Sequence, residues 1–363
     1  MIKSALSRHH ALILAGGRGT RFWPRSRKAR AKQVLDFLGA GTLVQQTVDR
    51  LTPLLPPSNI WILTNDHLRA EIIRQLPQVP KSQIIAEPAG RNTAPAIGLA
   101  ARIMHDVDPD AVMGVFPADQ FVSSPAPFRK LLRSAFKAAS SGQMALIGIQ
   151  PRWPETGYGY VEFPKGAMQP GSLTPIPVVR FREKPDLATA KKFVKAGHFG
   201  WNAGIFFWRA DVFSAQLWQH LPKTAALLDS LPHFGSRQFS SKLAAVFPQC
   251  ENISVDYAIM ERASGVVGFT AGDVGWNDVG SFNAVYELLS KDPAANASKQ
   301  ELLTLDAHGN YVDAPGKLIA LLGVDDLIVV DTPDALLVTR RHLAQKVGDA
   351  VKLLEKQNRH ELL

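Results

Sequence analysis

Residues 15–25 read AGGRGTRFWPR directly behind the apolar run ALIL, so three glycines, three arginines and a threonine crowd the end of a strand-like segment. Successive glycines expose backbone N–H groups with few side chains in the way, and such a run can cup phosphate oxygens. Arg18 and Arg21, with Lys32 farther on, carry charge that would neutralise a polyphosphate. The run matches neither common phosphate fingerprint: GxxxxGK[ST] is absent, and GRGTRF lacks the last glycine of GxGxxG. A phosphate nest and a plain tight turn both fit the spacing.

A second stretch, EPAGRNTAPAIGLAARIM at 87–104, ends a strand pattern and enters a helical one. Asn92 or Thr93 suits the cap and Pro95 the first turn. Glu87 and Asn92 have the donors and acceptors to read the edge of a base or sugar, although capping alone also accounts for Asn92 and Thr93. Asp119 follows the strand-like AVMGVFPA, and Asp278 sits in the turn-like GWNDVG. Brought together, the two carboxylates make a hard oxygen site for Mg²⁺ on phosphate; apart, each is an ordinary cap or turn aspartate. Glu183 and Lys184, in FREKPD, offer a hydroxyl acceptor and a phosphate donor side by side. In a regular strand they point opposite ways, so both face one ligand only if the backbone bends or the ligand wraps around it. The ten histidines show no HExxH, His9 and His10 read as terminal, and no GxSxG nucleophile is present. A direct displacement on phosphorus fits better than covalent catalysis.

The elements that must position these residues follow a βαβα rhythm. Buried-strand patterns fall at 10–16, 59–65, 83–87, 111–119 and 144–149, with helical spacing at Leu43, Thr47, Val48 and Leu51 and at Phe128, Leu131, Leu132 and Phe136. This predicts an α/β fold with a mainly parallel sheet, helices on both faces and ligands at the strands' C-terminal ends. After residue 150 the proline- and glycine-rich stretch reads as a hairpin-rich insertion lying over the sheet. WNAGIFFW at 201–208 is a further strand, and helices are expected at 211–220, 240–247 and 255–263. From about 300 short β pieces close with a helix near 341–356, which divides the chain into 1–295 and a small β domain at 296–363.

Composition sets wider limits. Apolar residues are 46% and charged residues 20%, an ordinary globular balance, and the net charge of +9 attracts anions without choosing among metabolites, nucleic acid and acidic lipid. The single cysteine, Cys250, excludes an intrachain disulfide framework and reads as a buried thiol in a reducing compartment. The apolar run behind the basic N-terminus is too short for a signal peptide or membrane span, so a cytoplasmic location is expected.

In order along the chain, LAGGRGTRFWPRSR, AKQVLDF, EPAGRNTAPAIGLAA, VFPADQ, RWPETGYGYV, FREKPD, WNAGIFFW, SVDYAIME and GWNDVGSF resemble the nucleotidylyltransferases that activate sugar 1-phosphates. Within them the chain looks like the bacterial mannose-1-phosphate guanylyltransferases, and the tail GNYVDAPGKLIALLGVDDLIVVDTPDALLVTR extends the resemblance. The resemblance implies a Rossmann-like nucleotidyltransferase core, a small left-handed β-helix-like C-terminal domain, and synthesis of GDP-mannose and pyrophosphate from GTP and mannose 1-phosphate with Mg²⁺. It assigns Leu14 and Ala15 to nucleotide binding, Gly16, Gly17, Gly19, Thr20, Arg21 and Lys32 to the nucleotide phosphates, and Glu87, Asn92 and Thr93 to the base-recognition segment. Asp119 and Asp278 match the metal ligands, Gly159, Glu183 and Asn202 face the sugar, and Lys184 grips its phosphate; Arg21, Lys32, Asp119, Lys184 and Asp278 form the catalytic set.

The resemblance also implies a homodimer without nucleic-acid or membrane partners. Because the chain stops at 363, it implies no room for the phosphomannose isomerase domain fused to longer relatives, hence one activity. Two departures stand out: Ala31 replaces the proline of PKQ, suggesting a less rigid link to Lys32, and Gln120 replaces the histidine of PADH. Three alternatives remain at this point: another hexose 1-phosphate or nucleotide, a non-catalytic sugar-nucleotide sensor, and nucleic-acid binding through the positive charge.

Overall fold

The computed structural model describes residues 8–363; the first part of the basic N-terminus lies outside them. His9–Leu14 starts the central sheet, and its burial on both sides explains the continuous apolar run Ala11–Leu14. Ala11 and Ile13 enter one core with Ile60 and Ile62, while Leu12 enters the opposite core with Trp61 and Leu63. On the first face Leu43–Leu51 and Pro125–Ser140 pack their apolar stripes, and on the other Thr93–Val107 and Ala210–His220 do so. Leu43–Leu51 starts on a reciprocal cap between Thr42 and Gln45.

The sheet runs Ile84–Glu87, Ile60–Asn65, His9–Leu14, Val112–Pro117, Phe199–Arg209, Ala145–Ile149, Val267–Ala271 and Ile176–Pro177. The first four strands are mutually parallel, whereas Phe199–Arg209 is antiparallel to both its neighbours. The chain leaves His9–Leu14 on one side and returns through Val112–Pro117 on the other, which opens a crevice between the C-terminal ends of these two strands.

The five early strands fall where expected, but the insertion after residue 150 extends the sheet instead of covering it. Tyr160–Glu162 pairs with Phe199–Trp201, Arg180–Arg182 pairs with Tyr160–Glu162, and Ile176–Pro177 pairs with Val267–Gly268. The cause is the 11-residue length of Phe199–Arg209, which offers a free edge to a new partner. His9 and His10 are not terminal: both are buried in the first strand, and His9 stacks on Phe136 at 4.7 Å. The helix expected at 255–263 is a wide turn over Asp256–Met260, and Pro222–Asp229 is an additional helix.

Beyond this sheet, Ala297–Ser298, Tyr311–Asp313 and Leu327–Thr332 stack in parallel register, as do Leu302–Leu305 and Ile319–Leu322. Buried Asn296 and Asn310 bond to each other at 2.9 Å and to the carbonyls of Ala307 and Val324, tying successive rungs together. The chain closes with the turn Arg341–Lys346 and the helix Val347–Lys356. Phe22, Phe37 and Phe282 from the sheet side share one core with Tyr311, Ile328 and Ala344, so the two parts are packed together.

Candidate active site

A cleft with two lobes opens at the crevice. The glycine loop forms its floor, and its shape follows from two neighbours. Gln33 Nε2 donates to the carbonyls of Ala15 and Gly17 at 2.7 and 3.0 Å, and Ser26 Oγ to that of Arg18 at 2.8 Å. With these carbonyls taken, the loop offers its amides to an anion. Gly19 has φ 61°, and a Cβ there would stand 2.5 Å from Lys32 Cβ, so only glycine brings the loop against that lysine.

Lys32 is 6% exposed and bridges the carboxylate of Asp119 to the main chain of Asp278. Its Nζ donates to Asp119 Oδ2 at 2.9 Å and to the Asp278 carbonyl at 2.7 Å. Tyr158 donates its hydroxyl to Asp278 Oδ1. Burial holds the Asp278 carboxyl above the usual carboxylate range, with Asp119 adding to the rise against Lys32 and Arg21. Ala31 keeps φ −73°, a value a proline would adopt, so the link to Lys32 retains the conformation despite the substitution. Gln120 donates to the Ala203 carbonyl at 2.6 Å and accepts from Trp276 Nε1 at 3.0 Å, a role that needs no charge.

The first lobe, about 410 Å³, lies between Leu14, Leu63, Ile97, Val115 and Phe206, with Glu87 and Asn92 at its end. Glu87 is the exceptional group in this apolar surround. Its Oε1 is buried without a hydrogen-bond partner, and burial pushes its pKa up to about 7. A Cβ at Gly16 would reach within 3.3 Å of the other carboxylate oxygen. Asn92 caps Thr93–Val107 from a left-handed φ of 66° by accepting from the Thr93 amide at 2.9 Å. Thr93 Oγ1 accepts from the Val255 amide at 2.8 Å, which docks the helix start against the far wall.

The second lobe, about 520 Å³, is lined by Arg21, Tyr158, Gly159, Glu183, Asn202, Asp256, Trp276 and Asp278. Asn202 lies at a register shift in Phe199–Arg209, where the strand is bent. Its amide group donates to Asp256 at 3.0 Å and accepts from the Gly204 N–H at 3.0 Å, and its main-chain N–H donates to Gly159 O at 2.8 Å. A Cβ on Gly159 would come 2.5 Å from Glu183 Oε2, so the carboxylate packs directly over the glycine. Lys184 supplies the required bend: its φ is 40°, and its Nζ returns to Glu183 Oε1 at 2.6 Å. Burial works against the Lys184 ammonium, but Glu183 and Asp256 carry its pKa above the ordinary lysine value.

Not every predicted residue faces the cleft. Arg18 pairs with Glu355, and Thr20 lies beside Gly348 of the C-terminal helix, so Thr20 contributes backbone. Ala15 is buried and acts through its carbonyl, which also accepts from Thr64. Conversely, Tyr158 and Asp256 are site residues that sequence reasoning passes over, although both stand inside the motifs TGYGYV and SVDYAIME. Asp256 borders both lobes, and burial with the nearby Glu183 charge pushes its carboxyl up to about 6.

The donor set suits a hard divalent cation. Two carboxylates converge, one of them is held partly protonation-prone by burial and by the other, and a cation between them relieves both effects. Among the described residues no cluster of three or more His, Cys, Asp or Glu groups forms a larger metal centre.

The Nucleotidyl transferase family model matches residues 10–295, most of the chain. The chain belongs to that family. A second model, the MannoseP isomerase/GMP-like beta-helix domain, matches residues 300–354, where the parallel rungs lie. Mannose-1-phosphate guanylyltransferase of Klebsiella pneumoniae is 36% identical over 96% of this chain and 74% of its own length. Alginate biosynthesis protein AlgA of Pseudomonas aeruginosa is 37% identical over 96% of this chain and 73% of its own. A crystal structure described as mannose-1-phosphate geranyltransferase, from Thermus thermophilus, superposes with TM-score 0.83 at 32% identity, covering 96% of this chain and 99% of that one. The nucleotidyl transferase chain thus shares its whole architecture with a solved relative.

Proposed function

We propose that this nucleotidyl transferase moves GMP from GTP to α-D-mannose 1-phosphate, giving GDP-mannose and pyrophosphate. The observation that carries the reading is the Lys32, Asp119 and Asp278 cluster at a two-lobed cleft, one lobe mostly apolar with Glu87 in its wall and the other polar. The name of the Klebsiella pneumoniae relative supports guanylyl transfer to mannose 1-phosphate, and the description of the solved relative supports mannose 1-phosphate.

The apolar lobe takes the base. An ionised Glu87 accepts from the adjacent N1–H and amino group of guanine; adenine has an acceptor at N1 and leaves the carboxylate unpaired. The polar lobe takes the sugar, whose hydroxyls meet Glu183, Asn202 and Asp256, while Lys184 grips the monophosphate. Arg21 and the loop amides hold the triphosphate, and Lys32 keeps Asp119 and the backbone of Asp278 in register. A phosphate oxygen of mannose 1-phosphate attacks the α-phosphorus of GTP in line, and the bond from that phosphorus to the pyrophosphate oxygen breaks. Both groups are already anionic, so no strong base is needed and repulsion is the main obstacle. Asp119 and Asp278 would hold Mg²⁺ or another divalent cation, which when bound supplies charge neutralisation between the phosphate groups.

Action in the cytoplasm belongs to the same proposal, supported by the buried thiol of Cys250, whose pKa burial raises to about 11. Among the described residues no helix is long and apolar enough to cross a membrane. A homodimer without nucleic-acid or membrane partners is proposed on the resemblance, and light scattering of the purified chain tests it.

The functional reading is tested by incubating the protein with Mg²⁺ and mannose or glucose 1-phosphate, each with GTP, ATP, UTP or dTTP, and identifying nucleotide sugars by mass. GDP-mannose as the dominant product is expected. A different dominant product would replace the substrate assignment, and none with any pair would favour a sugar-nucleotide sensor.

A further inference from the structure

Arginines of the glycine loop turn toward the C-terminal part of the chain. Arg18 pairs with Glu355 at 2.7 Å, Arg25 with Asp313 at 3.3 Å and Arg27 with Asp334 at 2.9 Å. Trp23 Nε1 adds a hydrogen bond to the Leu362 carbonyl at 2.9 Å. Arg21 makes the same kind of tether with a different acceptor: its Nη1 donates to the amide oxygen Oε1 of Gln345 at 2.6 Å.

The acceptor matters because a carboxylate that grips an arginine also cancels its charge for a nearby anion. A neutral amide fixes the guanidinium and leaves its full charge available. Of these tethers, the amide is the one found at the polar lobe, which Arg21 and Gln345 both line. Arg21 is near enough there for its charge to act on the Asp278 carboxyl and the Tyr158 hydroxyl. Gln345 itself is exposed, but the residue before it, Ala344, is anchored in the core that contains Phe22, the residue after Arg21. Both ends of the Arg21–Gln345 contact are therefore fixed by the same packing.

We propose that Gln345 is a positioning residue for nucleotidyl transfer, supplied by the β-helix part of the chain: its neutral amide oxygen aims Arg21 at the substrate phosphates without neutralising it. The inference rests on the functional reading above. In that arrangement the C-terminal part completes the phosphate site of the nucleotidyl transferase fold.

Substituted full-length chains test it: Gln345→Ala, which removes the tether, Gln345→Glu, which keeps an acceptor but cancels the charge, each of these combined with Arg21→Ala, and Arg21→Ala alone as their background. Steady-state rates with GTP and mannose 1-phosphate are read beside the melting temperature and the affinity for GTP alone. Gln345→Ala is expected to lower kcat/KM for GTP by about fivefold, the net value of one hydrogen bond. Gln345→Glu is expected to lower it by more than about tenfold, as a unit charge beside the guanidinium would. On the Arg21→Ala background Gln345→Ala has no further effect, the loss from Gln345→Glu shrinks to the repulsion of its own charge, and the melting temperature stays that of the unsubstituted chain. Equal rates in all Gln345 variants, or losses that persist undiminished without Arg21, would overturn the proposal. If the unsubstituted protein turns over no sugar phosphate, the functional reading fails separately, and GTP affinity still reads the ranking of the Gln345 variants.

Discussion

The two lobes of the cleft solve different problems with different surfaces. The apolar lobe has mostly hydrophobic walls and, besides the Asp256 that it shares with the other lobe, one carboxylate, Glu87, with an oxygen left unpaired. The polar lobe brings Glu183, Asn202, Asp256 and Asp278 together with Arg21, and nearly every polar group there already has a protein partner. An unpaired carboxylate oxygen in a mostly apolar pocket discriminates strongly, because a ligand that fails to satisfy it leaves a buried polar atom stranded. A network of paired groups holds shape and manages charge. Under the proposed function, base selection falls to the first lobe and transfer chemistry to the second.

The largest expected effect lies in the polar lobe. Asp278→Ala should lower kcat by about a thousandfold for every nucleotide alike, measured as pyrophosphate release, since the loss falls on the shared phosphate chemistry. Glu87→Gln should cost about a hundredfold in kcat/KM for GTP and leave the poor rate with ATP nearly unchanged. A uniform loss across nucleotides would instead place Glu87 in the chemistry and break the division between lobes.

A pH series sharpens the same point. Burial pushes the pKa of the Glu87 carboxyl up to about 7, and in the proposed function guanine requires its ionised form as acceptor. Protonation below that pH removes the acceptor, so KM for GTP should rise by up to about tenfold per unit as pH falls below it, with a plateau above. Both the profile with ATP and that of Glu87→Gln should lack this dependence. The smallest effect is expected for Asn202→Ala: about a fivefold loss of kcat/KM for the sugar phosphate, with KM for GTP unchanged, because one hydrogen-bonding group of several is removed.

How much of this is legible in the sequence varies with how local the cause is. The strand behind the glycine loop is apolar from Ala11 to Leu14 because both its faces are packed against cores, and that pattern is visible without a structure. The need for a bend at Glu183 and Lys184 also follows from strand geometry, and the left-handed Lys184 meets it. The sheet extension through Tyr160–Glu162 escapes a reading of the sequence because it depends on the overhang of Phe199–Arg209, a strand far along the chain. Asp256 and Tyr158 escape it for a similar reason: an aspartate in a helical pattern and a tyrosine among glycines look ordinary until Asn202 and Asp278 arrive beside them. Arg18 and Arg21 look equivalent in the loop, and only the C-terminal residues facing them, Glu355 and Gln345, separate their roles.

The central claim, that one lobe selects the base while the other selects the sugar and carries the transfer, is tested most directly by one matrix of kcat/KM values. GTP and ATP are each combined with mannose 1-phosphate and glucose 1-phosphate, for the unsubstituted protein and for Glu87→Gln. The account predicts that the substitution collapses the preference for GTP and leaves the preference for mannose 1-phosphate unaltered. A sugar preference that shifts together with the base preference would contradict it.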